Sequence, residues 1–200
     1  FSGYSFEDIS ILKKKFENHF SEKHLILFGV NRYDEKKKGF YNSVVVVNNR
    51  LEIIQEYKKQ KLVPFGEFLP FENFLNNFGL KKVTEGHGSF LKGKTNKNLS
   101  VNNINILPLI CYEIIFTELV QKSKGETNLI VNISEDGWFG DTIGPNQHFA
   151  KSVFRAIENN TFFIRSANKG ISAIIDNKGK IIKQLDRNES GNIELEIPLI

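Results

Sequence analysis

Short apolar runs of strand length recur along this chain, and segments of helical periodicity fill several of the gaps between them. That alternation limits the fold more than any other feature. Residues 24–31, HLILFGVN, form one such run, expected as a short strand buried on both faces. YNSVVVVNN and RLEIIQEY are β-rich runs meeting at Asn48 and Asn49, residue types suited to a hairpin turn. NINILPLI ends at Cys111. NLIVNIS, TFFIRSAN, GISAIID and KIIKQL read as further strands, the last two joined through NKG, and NIELEI reads as a final strand.

Three segments carry the helical period. SFEDISILKKKFENHF has Ser5 as its N-cap, acidic Glu7 and Asp8 in its first turn, and an apolar stripe of Ile9, Leu12, Phe16 and Phe20. EIIFTELVQKSKG reads as a helix stopped near Gly125, and HFAKSVFRAIENN as one with apolar Phe149, Val153, Phe154 and Ile157. LVPFGEFLPFENFLNNFGL is broken by Pro and Gly and is expected as a loop followed by a short helix. EGHGSFLKGKTNKNLS is expected as an exposed connection, and DGWFGDTIGPNQ as a loop.

Strands alternate with helices early and hairpins recur late, which predicts an α/β architecture with a mixed sheet, or two sheets covered by helices. The chain has 200 residues, no internal repeat and no Pro/Ser-rich linker, so one domain over residues 1–200 is expected. A single cysteine excludes an internal disulfide framework. The net charge of +4 is spread along the chain, with no Arg-rich stripe or zinc-type spacing, which argues against a nucleic-acid partner. No apolar run reaches the roughly 18 residues of a membrane span. The chain lacks methionine and begins FSGYSF, so an internal piece of a longer protein is expected.

Chemistry concentrates at Cys111. A strand that ends there and hands over to a helix puts the side chain on a sharp turn, with the following N–H groups aimed at any atom the sulfur attacks. A helix N-terminus also favours the thiolate. The alternative is a buried core thiol, since unpaired Cys is among the most buried residue types. YKKQKLVPFGEFLP adds Lys59 and Glu67 on either side of a turn-rich connector; a lysine beside a thiolate stabilises it and an oxyanion, and a carboxylate can hold the lysine in place. On the residues alone, Lys58 and Lys61 are equally good candidates.

KKQKLVPFGEFLPFE followed by ICYEIIF resembles the apolipoprotein N-acyltransferase branch of the nitrilase superfamily. NISEDGWFGDTIGPNQH and RAIENNTFFIRSANKGISAIID are similar to that branch in the same order, so the likeness covers nearly the whole chain. The resemblance implies an α-β-β-α sandwich of two mixed sheets flanked by helices, and a Glu-Lys-Cys triad. By motif position it implies Cys111 as nucleophile, Lys59 as the triad lysine and Glu67 as an additional glutamate beside it. It implies supporting roles for Tyr112 and Glu113, and it places Trp138 and Phe139 near the acyl-chain entrance. No metal or organic cofactor is implied. His148 is read as structural.

The implied reaction moves an acyl chain from a phospholipid, through a cysteine thioester, to the N-terminal amine of a diacylglyceryl-cysteine lipoprotein. The implied location is the periplasmic side of a bacterial inner membrane, held there by segments outside this chain. The triad glutamate of that family lies in a Trp-Pro-Glu segment that is missing here and expected just before Phe1; Glu7 is not assigned to the role. This stretch alone is therefore expected to be inactive. Glu135 stands where the branch often has Asn. The alternatives are a soluble nitrilase-type amidase and a non-catalytic domain of the same fold.

Overall fold

The computed structural model describes residues 4–70, 89–94, 98–121 and 126–198. The chain divides into two compact units, Phe1–Thr95 and Asn96–Ile200.

In the first unit the N-terminal helical segment is two short helices, α1 (Phe6–Ser10) and α2 (Lys13–His19), rather than the one expected. Ser5 caps α1 through a reciprocal pair: its hydroxyl accepts from Asp8 N–H at 3.3 Å, and the Asp8 carboxylate accepts from Ser5 N–H at 3.0 Å. The break falls at Ile11 and Leu12, next to Ser10, whose hydroxyl donates to the Glu7 carbonyl at 2.6 Å. Such back-bonding competes with the helical ladder and bends it. Ile9 still faces inward, against Phe28, Val30, Val45, Val47 and Leu51, with Leu12 and Phe16 packed at the margin. Burying an aliphatic side chain of this size contributes about 1.5–3 kcal/mol.

Strands β1 (Ile26–Asp34), β2 (Gly39–Val47) and β3 (Ile53–Lys58) form an antiparallel sheet in that order. β2 is the central strand, and its Val44, Val45, Val46 and Val47 are all buried. β1 was expected to be covered on both faces; its burial is instead partial, because it borders the sheet. The turn between β2 and β3 is organised by Asn48, whose side-chain oxygen accepts from Arg50 and Glu52 N–H at 2.9 and 3.0 Å. Ser43 pairs with Lys58, so Lys59 is the first residue beyond β3, its N–H still donating to the Asn42 carbonyl at 2.9 Å. The short helix expected after the PFGEFLP loop falls on residues 71–88, outside the described residues.

The second unit is a six-stranded mixed sheet: β4 (Leu99–Val101), β5 (Ile104–Ile110), β6 (Leu129–Glu135), β7 (Phe162–Asn168), β8 (Ser172–Ile175) and β9 (Ile181–Leu185), neighbours in that order. β5, β6 and β7 are parallel; the outer pairs are antiparallel. Parallel neighbours need crossover connections. The first is a 3₁₀ turn, Cys111–Ile115, followed by α3 (Thr117–Gln121), so EIIFTELVQ is not one helix. The second is a 3₁₀ turn, Asp136–Phe139, and the long α4 (Gly144–Asn159). α4 begins four residues earlier than its apolar period suggests, with Pro145 in its first turn, where a missing N–H leaves no bond unmade.

Leu107, Leu109 and Ile130 of the sheet pack with Phe149 and Ala156 of α4 and with Ile114. The β8–β9 hairpin turns at Gly179, whose φ is +82° and whose missing Cβ would lie 2.6 Å from Ile157 of α4. NIELEI forms no strand. Its alternation is amphipathic, but a strand exists only where an edge supplies a ladder, and residues 190–198 find none.

Candidate active site

The carboxyl ends of parallel strands are where α/β sheets present chemistry, because the chain leaves each strand there on a turn. In the second unit those ends carry Cys111 after β5, Glu135 and Asp136 at β6, and Asn168 at β7. Cys111 adopts φ +49°, a left-handed conformation that a side chain with a Cβ resists. It is partly exposed, and its Sγ lies 3.9 Å from the Glu135 carbonyl oxygen. Cys111 thus stands on a turn at a strand end and is not fully buried, and a 3₁₀ turn follows it where a helix is expected.

Three sets of contacts hold this turn. Glu113, fully buried, turns back so that Oε2 accepts from Ile110 N–H at 2.9 Å. Tyr112 meets Phe116 edge-on at 5.1 Å between ring centroids. From α4, His148 Nε2 reaches the Cys111 carbonyl at 3.2 Å, and Arg155 donates to the carbonyls of Ile114 and Ile115 at 2.8 and 3.2 Å.

Behind His148 lies a buried polar chain that sequence reasoning missed. His148 Nδ1 is 2.9 Å from Asp136 Oδ1, and Arg165 Nη2 donates to Asp136 Oδ2 at 2.7 Å. Ser134 donates to Asp136 Oδ1 at 2.7 Å. Arg165 also bonds Asn132, whose amide donates to the Leu109 carbonyl at 2.8 Å. Burial alone would push the Asp136 carboxyl up. The His148 hydrogen bond, the Arg165 charge and the Ser134 hydroxyl outweigh it and lower the pKa from 3.8 to about 2. Burial pulls the Arg165 guanidinium down, and Asp136 opposes that. The available signal was an arginine inside TFFIRSAN and an asparagine inside LIVNIS, since a polar residue in an apolar strand must find a partner.

Trp138 and Phe139 ride on the second 3₁₀ turn, 64% and 37% exposed. The Glu135 carboxylate anchors that turn, accepting from Gly137 N–H at 2.9 Å and from the Asn168 amide at 2.6 Å.

The first unit holds the other predicted residues. Lys59 is 1% exposed, and its Nζ lies 2.9 and 2.8 Å from the two Glu67 carboxylate oxygens. Glu67 also accepts from the Asn42 amide and from Val63 N–H, each at 2.9 Å. Of the lysines open as candidates, Lys58 instead lies over the Tyr41 ring at 4.3 Å and 3.8 Å from Glu56. The backbone at Lys59 is pinned by Gly93, whose N–H donates to the Lys59 carbonyl at 2.8 Å. A Cβ at Gly93 would meet the Lys58 carbonyl oxygen at 2.2 Å, so only glycine fits there.

The family model described as carbon-nitrogen hydrolase matches residues 19–199. The chain belongs to the carbon-nitrogen hydrolase family. Within that family it is similar to proteins named apolipoprotein N-acyltransferase. The one from Rhizobium leguminosarum bv. trifolii is 41% identical over 178 residues, 86% of this chain and 33% of the relative. That of Rhizobium rhizogenes is 40% identical over 175 residues, 85% of this chain and 33% of the relative. The chain thus spans about a third of the length of these carbon-nitrogen hydrolase relatives. Among solved structures, a Saccharomyces cerevisiae member of branch 10 of the nitrilase superfamily superposes with a TM-score of 0.66 at 19% identity. It covers 93% of this chain and 62% of its own, and the likeness is one of fold.

Proposed function

We propose that this chain is the acyl-transferring part of an apolipoprotein N-acyltransferase, with Cys111 as the nucleophile. One observation carries the reading: the single cysteine stands at φ +49° on the turn after β5, in a chain 41% identical to a protein of that name. A carboxylate base of the whole enzyme takes the thiol proton, and Sγ attacks the ester carbonyl of a phospholipid. Lys59 and a backbone N–H beyond Cys111 stabilise the oxyanion, each good donor contributing roughly 3–4 kcal/mol. The C–O bond breaks, the lysophospholipid leaves with the proton, and an acyl thioester remains on Cys111.

The second half returns the thiol. The α-amine of a diacylglyceryl-cysteine attacks the thioester, an amide forms, and the sulfur is released with a proton. Glu67 holds the Lys59 ammonium in place, and Tyr112 and Glu113 orient the elbow. Trp138 and Phe139 contact the acyl chain. The enzyme works on the periplasmic face of a bacterial inner membrane. Two substrates using one sulfur in turn give ping-pong kinetics.

The test is mass spectrometry of the full-length natural protein mixed with phospholipid vesicles. A long-chain acyl group on Cys111, discharged by a diacylglyceryl-cysteine peptide and lost in Cys111→Ser, is expected. Turnover by Cys111→Ala at the wild-type rate would end the assignment. Hydrolysis of small amides with no acyl thioester would move the chain to an amidase.

A further inference from the structure

We infer that α4 is the clamp of the nucleophile turn and that His148 is its positioning residue, acting through the Cys111 carbonyl. The inference rests on Cys111 being the nucleophile and deepens that reading.

The left-handed backbone at Cys111 is unfavourable for a residue with a Cβ, so it persists only where its surroundings over-determine it. Among the described residues, one helix supplies side-chain hydrogen bonds to three carbonyls of the turn, beside the contact of Cys111 Sγ with the Glu135 carbonyl of β6. His148 and Arg155 are seven residues apart on α4, about two turns, and so share a face. His148 meets the carbonyl of Cys111, and Arg155 meets those of Ile114 and Ile115. Both side chains are buried. A carbonyl oxygen only accepts, so the hydrogen of this bond sits on His148 Nε2.

The donor is itself held. On its other side His148 Nδ1 faces Asp136 at 2.9 Å and Arg165 Nη2 at 3.1 Å, and Asp136 is tied to both Ser134 and Arg165. The ring therefore has little freedom to rotate away from the turn. The Phe139 ring stands 5.4 Å from it, between centroids. A chain of hydrogen bonds thus runs from β6 and β7 through the imidazole to Cys111, which is held in the left-handed region. Holding the Cys111 carbonyl fixes the peptide plane whose N–H belongs to Tyr112, a group placed to face an oxyanion. A misplaced donor of that kind affects the transition state more than the bound substrate.

Two isosteric variants separate positioning from packing. In His148→Gln the amide nitrogen can occupy the Nε2 place and donate to Cys111, while the bond to Asp136 is lost. In His148→Asn the amide can occupy the Nδ1 place and keep Asp136, while the bond to Cys111 is lost. The measurement is the rate of acyl-thioester formation on Cys111 in the full-length protein with phospholipid vesicles, alongside its thermal midpoint. His148→Asn and His148→Ala should lower the limiting acylation rate roughly tenfold with the phospholipid KM unchanged, the size of one ordinary hydrogen bond felt in the transition state. His148→Gln should recover most of that rate even if its midpoint is the lower of the two. Full activity in His148→Asn, with loss in His148→Gln, would overturn the clamp and make His148 only a partner of Asp136. Wild-type protein that forms no thioester on Cys111 would overturn the nucleophile reading and the clamp with it.

Discussion

Lys59 Nζ lies 2.8 Å from Glu67 Oε2 with the lysine side chain 1% exposed, and among the described residues Glu67 is the carboxylate paired with it. The two ends of the pair are not equivalent. Glu67 keeps the Asn42 amide and Val63 N–H if the lysine is removed, whereas Lys59 loses its counter-ion if the glutamate is removed. Glu67→Ala should therefore destabilise the chain by about 3–5 kcal/mol, as uncompensated buried charges do. Lys59→Met should cost much less, yet abolish acylation. Urea unfolding of both variants checks the order; equal losses would mean the lysine contributes nothing as a buried charge.

Asp136 gives stability a defined acid limb. Its carboxyl is lowered from 3.8 to about 2 in the folded chain, so folding favours the ionised form. The contribution is complete above about pH 4 and is lost as pH falls toward 2, an amount of about 2 kcal/mol. Asp136→Asn should be less stable than wild type at neutral pH and should lose less on acidification between those limits. A wild-type slope in the variant would place the acid sensitivity elsewhere.

The left-handed turn predicts a stability order at position 111. Glycine adopts φ +49° without strain, while a residue with a Cβ does so at a penalty of about 1–2 kcal/mol, partly offset by glycine's freer unfolded chain. Cys111→Gly should thus be at least as stable as Cys111→Ala, by up to about 1 kcal/mol, the reverse of the order in a strand interior. Both should be inactive. Calorimetry finding the alanine variant clearly more stable would remove the strain, and with it the reason for a clamp.

Gly93→Ala tests how tightly Lys59 is placed. The added methyl would press on the Lys58 carbonyl oxygen, which must move, and the Gly93–Lys59 backbone bond moves with it. The expected loss is about 1–3 kcal/mol, typical of overpacking, with acylation falling further than the folded fraction. Unchanged acylation per folded molecule would show that Lys59 tolerates displacement.

Trp138 should behave in the opposite way. It is 64% exposed, so Trp138→Ala should shift stability by no more than about 0.5 kcal/mol. Transfer from long-chain donors should fall while a short-chain donor is little affected. An equal fall with both chain lengths would rule out a role in holding the acyl chain.

β4, within a stretch expected as an exposed connection, was not legible in the sequence, whereas most strand positions, the Ser5 cap, the cysteine at a strand end and the LysX7Glu interval were. Each depends on a short stretch of backbone and on which of its faces is apolar. The pairing of Lys59 with Glu67 was open on the residues alone and implied by the resemblance, whereas the break after Ser10, the failure of NIELEI to become a strand and the union of Asn132, Asp136, His148 and Arg165 were decided only by the tertiary structure. A buried polar group is defined by the partner it finds, and a strand by the edge it meets. Those partners come from β6, α4 and β7, tens of residues apart, where local pattern carries no information about which groups the fold brings within hydrogen-bond reach.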